Sequence, residues 1–239
     1  MRHLVDVVSI SVSTSRDRFL GKAQTVGAKC TLGAGCDCAR HSTYGTELTG
    51  LDLSGATALV SIGGSAFIST GLMGLNLSGV AKLEAIGDHA FLGTKLTGTL
   101  KVGSAIKTIG ACAFASTELT GLDLSEAASL EAIGYYAFFE STGLTGTLKL
   151  GSAIKTIGAY AFSGTELTGL DLSGATALVS IGDYAFSNNI KLTSIDLSGA
   201  ADRVQLQVDW ERAFHGNGNG MGNGLNGTIL TPGAVYIQY

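Results

Sequence analysis

Gly143–Ile190, GLTGTLKLGSAIKTIGAYAFSGTELTGLDLSGATALVSIGDYAFSNNI, is a near copy of the 48 residues before it, Lys95–Thr142, KLTGTLKVGSAIKTIGACAFASTELTGLDLSEAASLEAIGYYAFFEST. Each copy divides again into two units built around Ala-Phe, so the working period is 23–25 residues. Self-similarity at that period is the signature of a solenoid, because one such unit cannot bury its own apolar side chains and must stack on its neighbours. Outward from the duplicated block, units run Glu47–Thr70, Gly71–Thr94, Lys95–Thr117, Glu118–Thr142, Gly143–Thr165 and Glu166–Ile190. A seventh, Lys191–Asn217, opens as KLTSIDLSGA and then loses the pattern. Phe67, Phe91, Phe114, Phe138, Phe162 and Phe186 are spaced by 23 or 24, and Phe214 follows 28 later, which places an insertion in the last unit.

Within Glu166–Ile190 the apolar positions are Leu167, Leu170, Leu172, Leu178, Ile181, Ala185 and Phe186. Leu170-Asp171-Leu172 alternates with period two and predicts a short strand with Asp171 pointing outward. Leu178 and Ile181, three apart, fit a second short strand or a turn of 3₁₀ helix. Gly182 is expected at the bend, where a residue without Cβ can take positive φ. Two unit types appear: LTGLDLSGATALVSIG has the longer loop after its strand, and LTGTLKLGSAIKTIG the shorter.

The pattern L-x-x-[LI]-x-[LI] followed by I-G-x-x-A-F, present as Ile-Gly-x-x-Ala-Phe in all six regular units, resembles the BspA-like class of leucine-rich repeats over residues 47 to about 200. Where members of that class commonly carry Pro after the strand, this chain has Ser54, Gly103 or Ser173, and no unit has their Cys after the Phe. The resemblance implies a curved leucine-rich-repeat solenoid of short parallel strands joined by turns or 3₁₀ segments, about seven rungs in all. It also implies a role in adhesion or protein interaction, often at a cell surface. The expected organisation is an irregular lead and cap over 1–46, the solenoid over 47–200, and a degenerate last repeat with a Gly/Asn-rich loop and closure over 201–239. Terminal caps are needed because the first and last rungs would otherwise expose core.

Composition narrows the function classes. The 239 residues carry a net charge of −4 and only 14% charged side chains, without the concentrated basic surface that a nucleic-acid groove needs. No apolar run is long enough to span a bilayer. The opening MRHLVDVVSISVSTSRDRFL is interrupted by Asp6 and does not read as a secretory signal, so compartment is left open, with the cell surface implied by the resemblance alone. Cys30, Cys36, Cys38 and Cys112 lack the doubled spacing of a structural zinc site, and pairing, metal binding and free thiols all remain open for the first three. His3, His41, His89 and His215 have no recurring partner. A stacked repeat presents the same position on every rung, whereas catalysis needs different residues converging on one point. The expectation is a binding protein with no enzymatic activity, cofactor or metal.

Function is therefore sought in outward columns. Ser65, His89, Cys112, Tyr136, Tyr160 and Tyr184 form one, with Tyr135 beside it. Its three tyrosines make an aromatic strip suited to a sugar ring or to the apolar patch of a protein partner, or else cover the rung edges. Asp52, Asn76, Lys101, Asp123, Lys149, Asp171 and Asp196 form the strand-face column, a second candidate docking strip whose alternation also avoids stacked like charges. Val60, Glu84, Lys107, Glu131, Lys155 and Val179 read as an ion-pair ladder. Threonines form two more, Thr46/Thr70/Thr94/Thr117/Thr142/Thr165 and Thr49/Thr97/Thr120/Thr145/Thr168/Thr193. They either bond nearby backbone groups or, as flat outward arrays, bind ice. The alternative to a binding module is a scaffold segment of a larger protein.

Overall fold

The computed structural model describes residues 11–14, 48–53, 56–77, 79–199, 210–217 and 229–230. The strands in chain order are β1 (Ser11–Thr14), β2 (Leu48–Asp52), β3 (Ser61–Ile62), β4 (Ala85–Ile86), β5 (Thr97–Lys101), β6 (Thr108–Ile109) and β7 (Glu118–Asp123). They continue as β8 (Ala132–Ile133), β9 (Thr145–Lys149), β10 (Thr156–Ile157), β11 (Glu166–Asp171), β12 (Ser180–Ile181), β13 (Ser194–Asp196) and β14 (Ile229–Leu230). Among the described residues one short helix, α1 (Trp210–Ala213), lies between β13 and β14. The described residues form a parallel β-solenoid with almost no helix. One side of each turn is a two-residue strand, and these stack in parallel as β3-β4-β6-β8-β10-β12. Of the segment Leu178 to Ile181, Ser180–Ile181 is thus a strand and no part is 3₁₀ helix.

The other side carries the longer strands, β5 on β7 and β9 on β11 on β13 on β14, all parallel. The two unit types meet here with a one-residue mismatch. Gly98 pairs with Leu119 and Thr99 with Gly121, so Thr120 is extra; Gly146 pairs with Leu167 and Thr147 with Gly169, so Thr168 is extra. Each bulge sits opposite a glycine at positive φ, Gly98 at 72° and Gly146 at 83°. β1 runs antiparallel along β2, from Ser11 opposite Asp52 to Thr14 opposite Leu48, and covers the outer edge of the first rung. Most of the lead and cap expected over residues 1–46, and residues 200–209 of the last unit, lie outside the described residues.

Identical positions build the core. Phe67, Phe91, Phe114, Phe138, Phe162, Phe186 and Phe214 form one continuous stack with centroids 5.1–5.4 Å apart. Phe214 keeps its place although 28 residues separate it from Phe186. Leu167, Leu170, Leu172, Leu178, Ile181, Ala185 and Phe186 are all buried, as the periodicity predicts.

The glycine after each isoleucine differs from expectation. Gly182 is not at positive φ; it is required by proximity. A Cβ there would lie 2.5 Å from the Ala159 nitrogen, and one at Gly134 or Gly158 2.5 Å from the Gly110 carbonyl carbon or the Tyr135 nitrogen. Each rung therefore touches its predecessor backbone to backbone. The positive φ falls two residues later instead, on Ser65, His89, Cys112, Tyr136, Tyr160 and Tyr184, at 54–60°. From there, every second N–H donates to the next rung: Tyr136 to the Ala159 carbonyl (2.9 Å), Phe138 to Ala161 (2.7 Å) and Glu140 to Ser163 (2.9 Å).

The first threonine column faces inward. Thr70, Thr94, Thr117 and Thr165 are buried and donate to the carbonyl of the phenylalanine three residues before, at 2.9–3.1 Å. Thr142 does not belong to it, since Ser141 occupies the place and Thr142 is exposed. Asn189 and Asn217 continue the column. The Asn189 amide donates to the carbonyls of Phe162 (2.7 Å) and Phe186 (2.9 Å), its oxygen accepts from Thr165, and its N–H donates to Asn217 Oδ1 at 2.6 Å. This polar spine satisfies backbone carbonyls that the Phe stack seals from water.

Gly134→Ala is expected to cost about 3–5 kcal/mol, because backbone and not a flexible side chain must give way. Gly151→Ala, where nothing lies within 4 Å of the added carbon, is expected within about 0.5 kcal/mol of wild type. Urea unfolding of the two variants measures the difference. By the same measurement Asn189→Leu should cost about 2–4 kcal/mol, since the buried Phe186 carbonyl loses its side-chain donor and the Phe162 carbonyl keeps only Thr165.

Candidate functional site

Tyr136, Tyr160 and Tyr184 lie on successive rungs with ring centroids 4.7 and 4.9 Å apart and planes within 9° and 16° of parallel. Left-handed backbone in a tyrosine is disfavoured by roughly 1 kcal/mol and persists only where the surroundings over-determine it. Here the inter-rung bonds do so: Tyr136, Tyr160 and Tyr184 each donate a backbone N–H to the next turn, at 2.9, 3.1 and 3.0 Å. The rings are half-buried. Tyr135 stands edge-on to Tyr136 at 4.5 Å and is 53% exposed; Phe139 meets Tyr136 edge-on at 4.8 Å, and His215 meets Tyr184 at 5.8 Å. Loss of hydration, followed by the neighbouring Tyr160, Tyr135 and Cys112, holds the Tyr136 phenol above its ordinary pKa. It stays neutral at physiological pH and can donate or accept a hydrogen bond.

This geometry has a chemical consequence. Tyr160 has both faces covered by its neighbours, so what it can offer a partner is its ring edge and hydroxyl. A sugar that stacks on an aromatic face finds none free at the centre of the ladder.

The strand-face residues are brought into one column, but most are engaged. Lys101 pairs with Asp123 at 3.4 Å and Lys149 with Asp171 at 2.6 Å. Asp123, Asp171 and Asp196 also accept the backbone N–H of Ser125, Ser173 and Ser198 at 2.9–3.0 Å, fixing the turn after each strand. Ser125 holds the Asp123 carboxyl below its usual pKa, with Lys101 adding to the effect. At Asp171 partial burial pushes the other way, and the bonds from Lys149 and Ser173 outweigh it. Asp52 and Asn76 are exposed at the start of the column. A shallow depression of about 10 Å³ lined by Lys101, Val102, Asp123, Ser125 and Glu126 holds no more than a water.

On the short-strand side, Lys107 bonds Glu84 at 2.8 Å and Lys155 bonds Glu131 at 2.7 Å, the expected ladder. Lys155, and more weakly Lys107, lowers the Glu131 pKa. The second threonine column is largely exposed, and three of its hydroxyls are engaged: Thr97, Thr145 and Thr193 donate to the carbonyls of Met73, Thr120 and Thr168 on the rung before, at 3.1–3.5 Å. With the described members of the first column inward, only the second presents threonine to the surface.

Burial, and then Asp88, pushes the half-buried Cys112 thiol above its ordinary pKa, which makes it a poor nucleophile. Cys30, Cys36, Cys38, His3 and His41 lie outside the described residues. Among the described residues no group of three His, Cys, Asp or Glu could hold a metal ion, and no helix is long and apolar enough to cross a membrane. The inward polar spine escaped the sequence reading, although a signal existed: its members fall three residues after each phenylalanine, which separates Ser141 from Thr142.

Residues 107–208 match the BspA type leucine rich repeat region in six copies. Among solved structures, the pneumococcal vaccine antigen PcpA is similar at 16% identity and TM-score 0.37, over 66% of this chain and 57% of that one. A leucine-rich repeat protein from Bacteroides ovatus is similar at 16% identity and TM-score 0.22, over 67% of this chain and 66% of that one. The chain thus spans little more than half the length of the PcpA chain it matches. No curated protein matches it. Residues 107–208 of this solenoid thus carry leucine-rich repeats of the BspA type.

Proposed function

We propose that this solenoid is a non-enzymatic binding module for protein interaction or adhesion, and that its principal contact is the Tyr136–Tyr160–Tyr184 ladder with Tyr135 at its side. The observation that carries this reading is the stack itself. Three half-exposed tyrosines are locked in a disfavoured backbone conformation, which gives a rigid amphipathic edge with little side-chain entropy left to lose on binding. Because the ring faces are mutually covered, the partner it fits is a protein patch that packs against ring edges and bonds phenol hydroxyls, ahead of a glycan that needs a free face. The strand-face column from Asp52 to Asp196 serves as a secondary contact, weaker because its charges are already paired or capping turns. Cell-surface placement follows from the family resemblance.

The test is the double substitution Tyr136→Asn/Tyr160→Asn, since asparagine tolerates the left-handed backbone. Binding of wild type and variant is compared on an array of extracellular-matrix proteins and glycans, with melting followed by circular dichroism. The expected result is about a tenfold or greater loss on protein ligands, with the fold retained. Binding undiminished in a folded variant would remove the tyrosines from the contact.

A further inference from the structure

The column Val60, Glu84, Lys107, Glu131, Lys155, Val179 has a property that an ion-pair ladder alone does not require. Among the described residues its two ends are valines, exposed at 38% and 46%, where continued alternation would place charges. In reverse order the column reads Val179, Lys155, Glu131, Lys107, Glu84, Val60. Laid against itself, it sets valine on valine and opposite charge on opposite charge at all six positions. The next column, on the short strands, is Ser61, Ala85, Thr108, Ala132, Thr156 and Ser180, small side chains that allow close approach. Reversed, it remains small against small throughout.

We propose that this face is an interface between two antiparallel copies of the chain, related by a two-fold axis that runs along the short strands midway between β6 and β8. An axis in that direction leaves the position along each strand unchanged and inverts the order of rungs, so every column meets itself reversed. Both copies share the ~4.8 Å rise of a strand ladder, which keeps the match in step across the rungs. Lys107 then faces Glu131, and Glu84 faces Lys155, of the other copy. Each cation sits between its own rung neighbour and a second carboxylate. The facing valines supply apolar contact at both ends, and the interface is isologous, as a two-fold contact must be.

Charge complementarity selects this occupant. The column carries two glutamates and two lysines, so a uniformly acidic or basic partner would be repelled as much as attracted. The strand-face column has no such property, since four aspartates stand there against two lysines. None of the residues involved belongs to the tyrosine ladder, and the proposal stands or falls separately from the binding role above.

Sedimentation equilibrium over a micromolar-to-submillimolar series tests it on the full chain, alongside Glu84→Lys/Glu131→Lys and Lys107→Glu/Lys155→Glu. Wild type should shift with concentration from 24.3 kDa toward twice that mass, and less so in high salt. Each variant alone should remain monomeric, and an equimolar mixture should regain the doubled mass. Circular dichroism checks that both are folded. As a pair that spares the ladder, Val179→Lys should weaken association about tenfold, and Val60→Glu/Val179→Lys should restore it. A wild type that stays at 24.3 kDa throughout overturns the proposal, as do charge variants that associate alone as wild type does or folded variants that fail to associate when mixed.

Discussion

Behind each isoleucine of the short-strand side the backbone of one rung lies against the backbone of the rung before, at Gly87, Gly110, Gly134, Gly158 and Gly182, with no room for a methyl group. That approach sets the spacing of everything else. It brings the phenylalanine rings to a stacking distance of 5.1–5.4 Å and lets the N–H of Phe114, Phe138 and Phe162 reach the alanine carbonyl of the next turn at 2.7 Å. A side chain at the glycine would open the stack, and the Phe column and the polar spine would separate together.

The same geometry produces the surface. Once a rung is fixed by its glycine and its forward hydrogen bonds, the residue two positions on is forced into left-handed backbone, whatever its side chain. Ser65, His89, Cys112 and the three tyrosines accept that conformation because the turn, not the residue, determines it. The position is therefore free to vary chemically without changing the fold, and a ladder of identical rings can accumulate there. Inward positions have no such freedom, since a change at Phe162 meets Phe138 and Phe186, and one at Leu170 meets Leu148 and Ile195.

Much of this was legible in the sequence. The 48-residue duplication exposes the solenoid, and the Leu-x-Leu and Ala-Phe spacings identify the buried side chains before any coordinates. Burial of threonine was not legible from composition, because Thr70 and Thr97 look alike in a repeat. Only their distance from phenylalanine separates an inward hydroxyl that caps a sealed carbonyl from an outward one. The role of Gly182 is hidden in the sequence for a related reason. A glycine needed for close approach and one needed for positive φ read identically, and which applies depends on the neighbouring rung. That the tyrosines stack face to face, so that Tyr160 can offer only its ring edge and hydroxyl, depends likewise on contacts between rungs.

The central claim is that contacts between rungs, and not within them, carry the stability. Native-state amide hydrogen exchange measures this residue by residue, because each rung should open only with its neighbours. The account predicts the slowest exchange at the forward-donating amides of Phe114, Phe138 and Phe162 in the central rungs, with protection declining toward Phe67 and Phe186. Equal, weak protection along the whole phenylalanine column, or protection confined to amides bonded within a single rung, would contradict it.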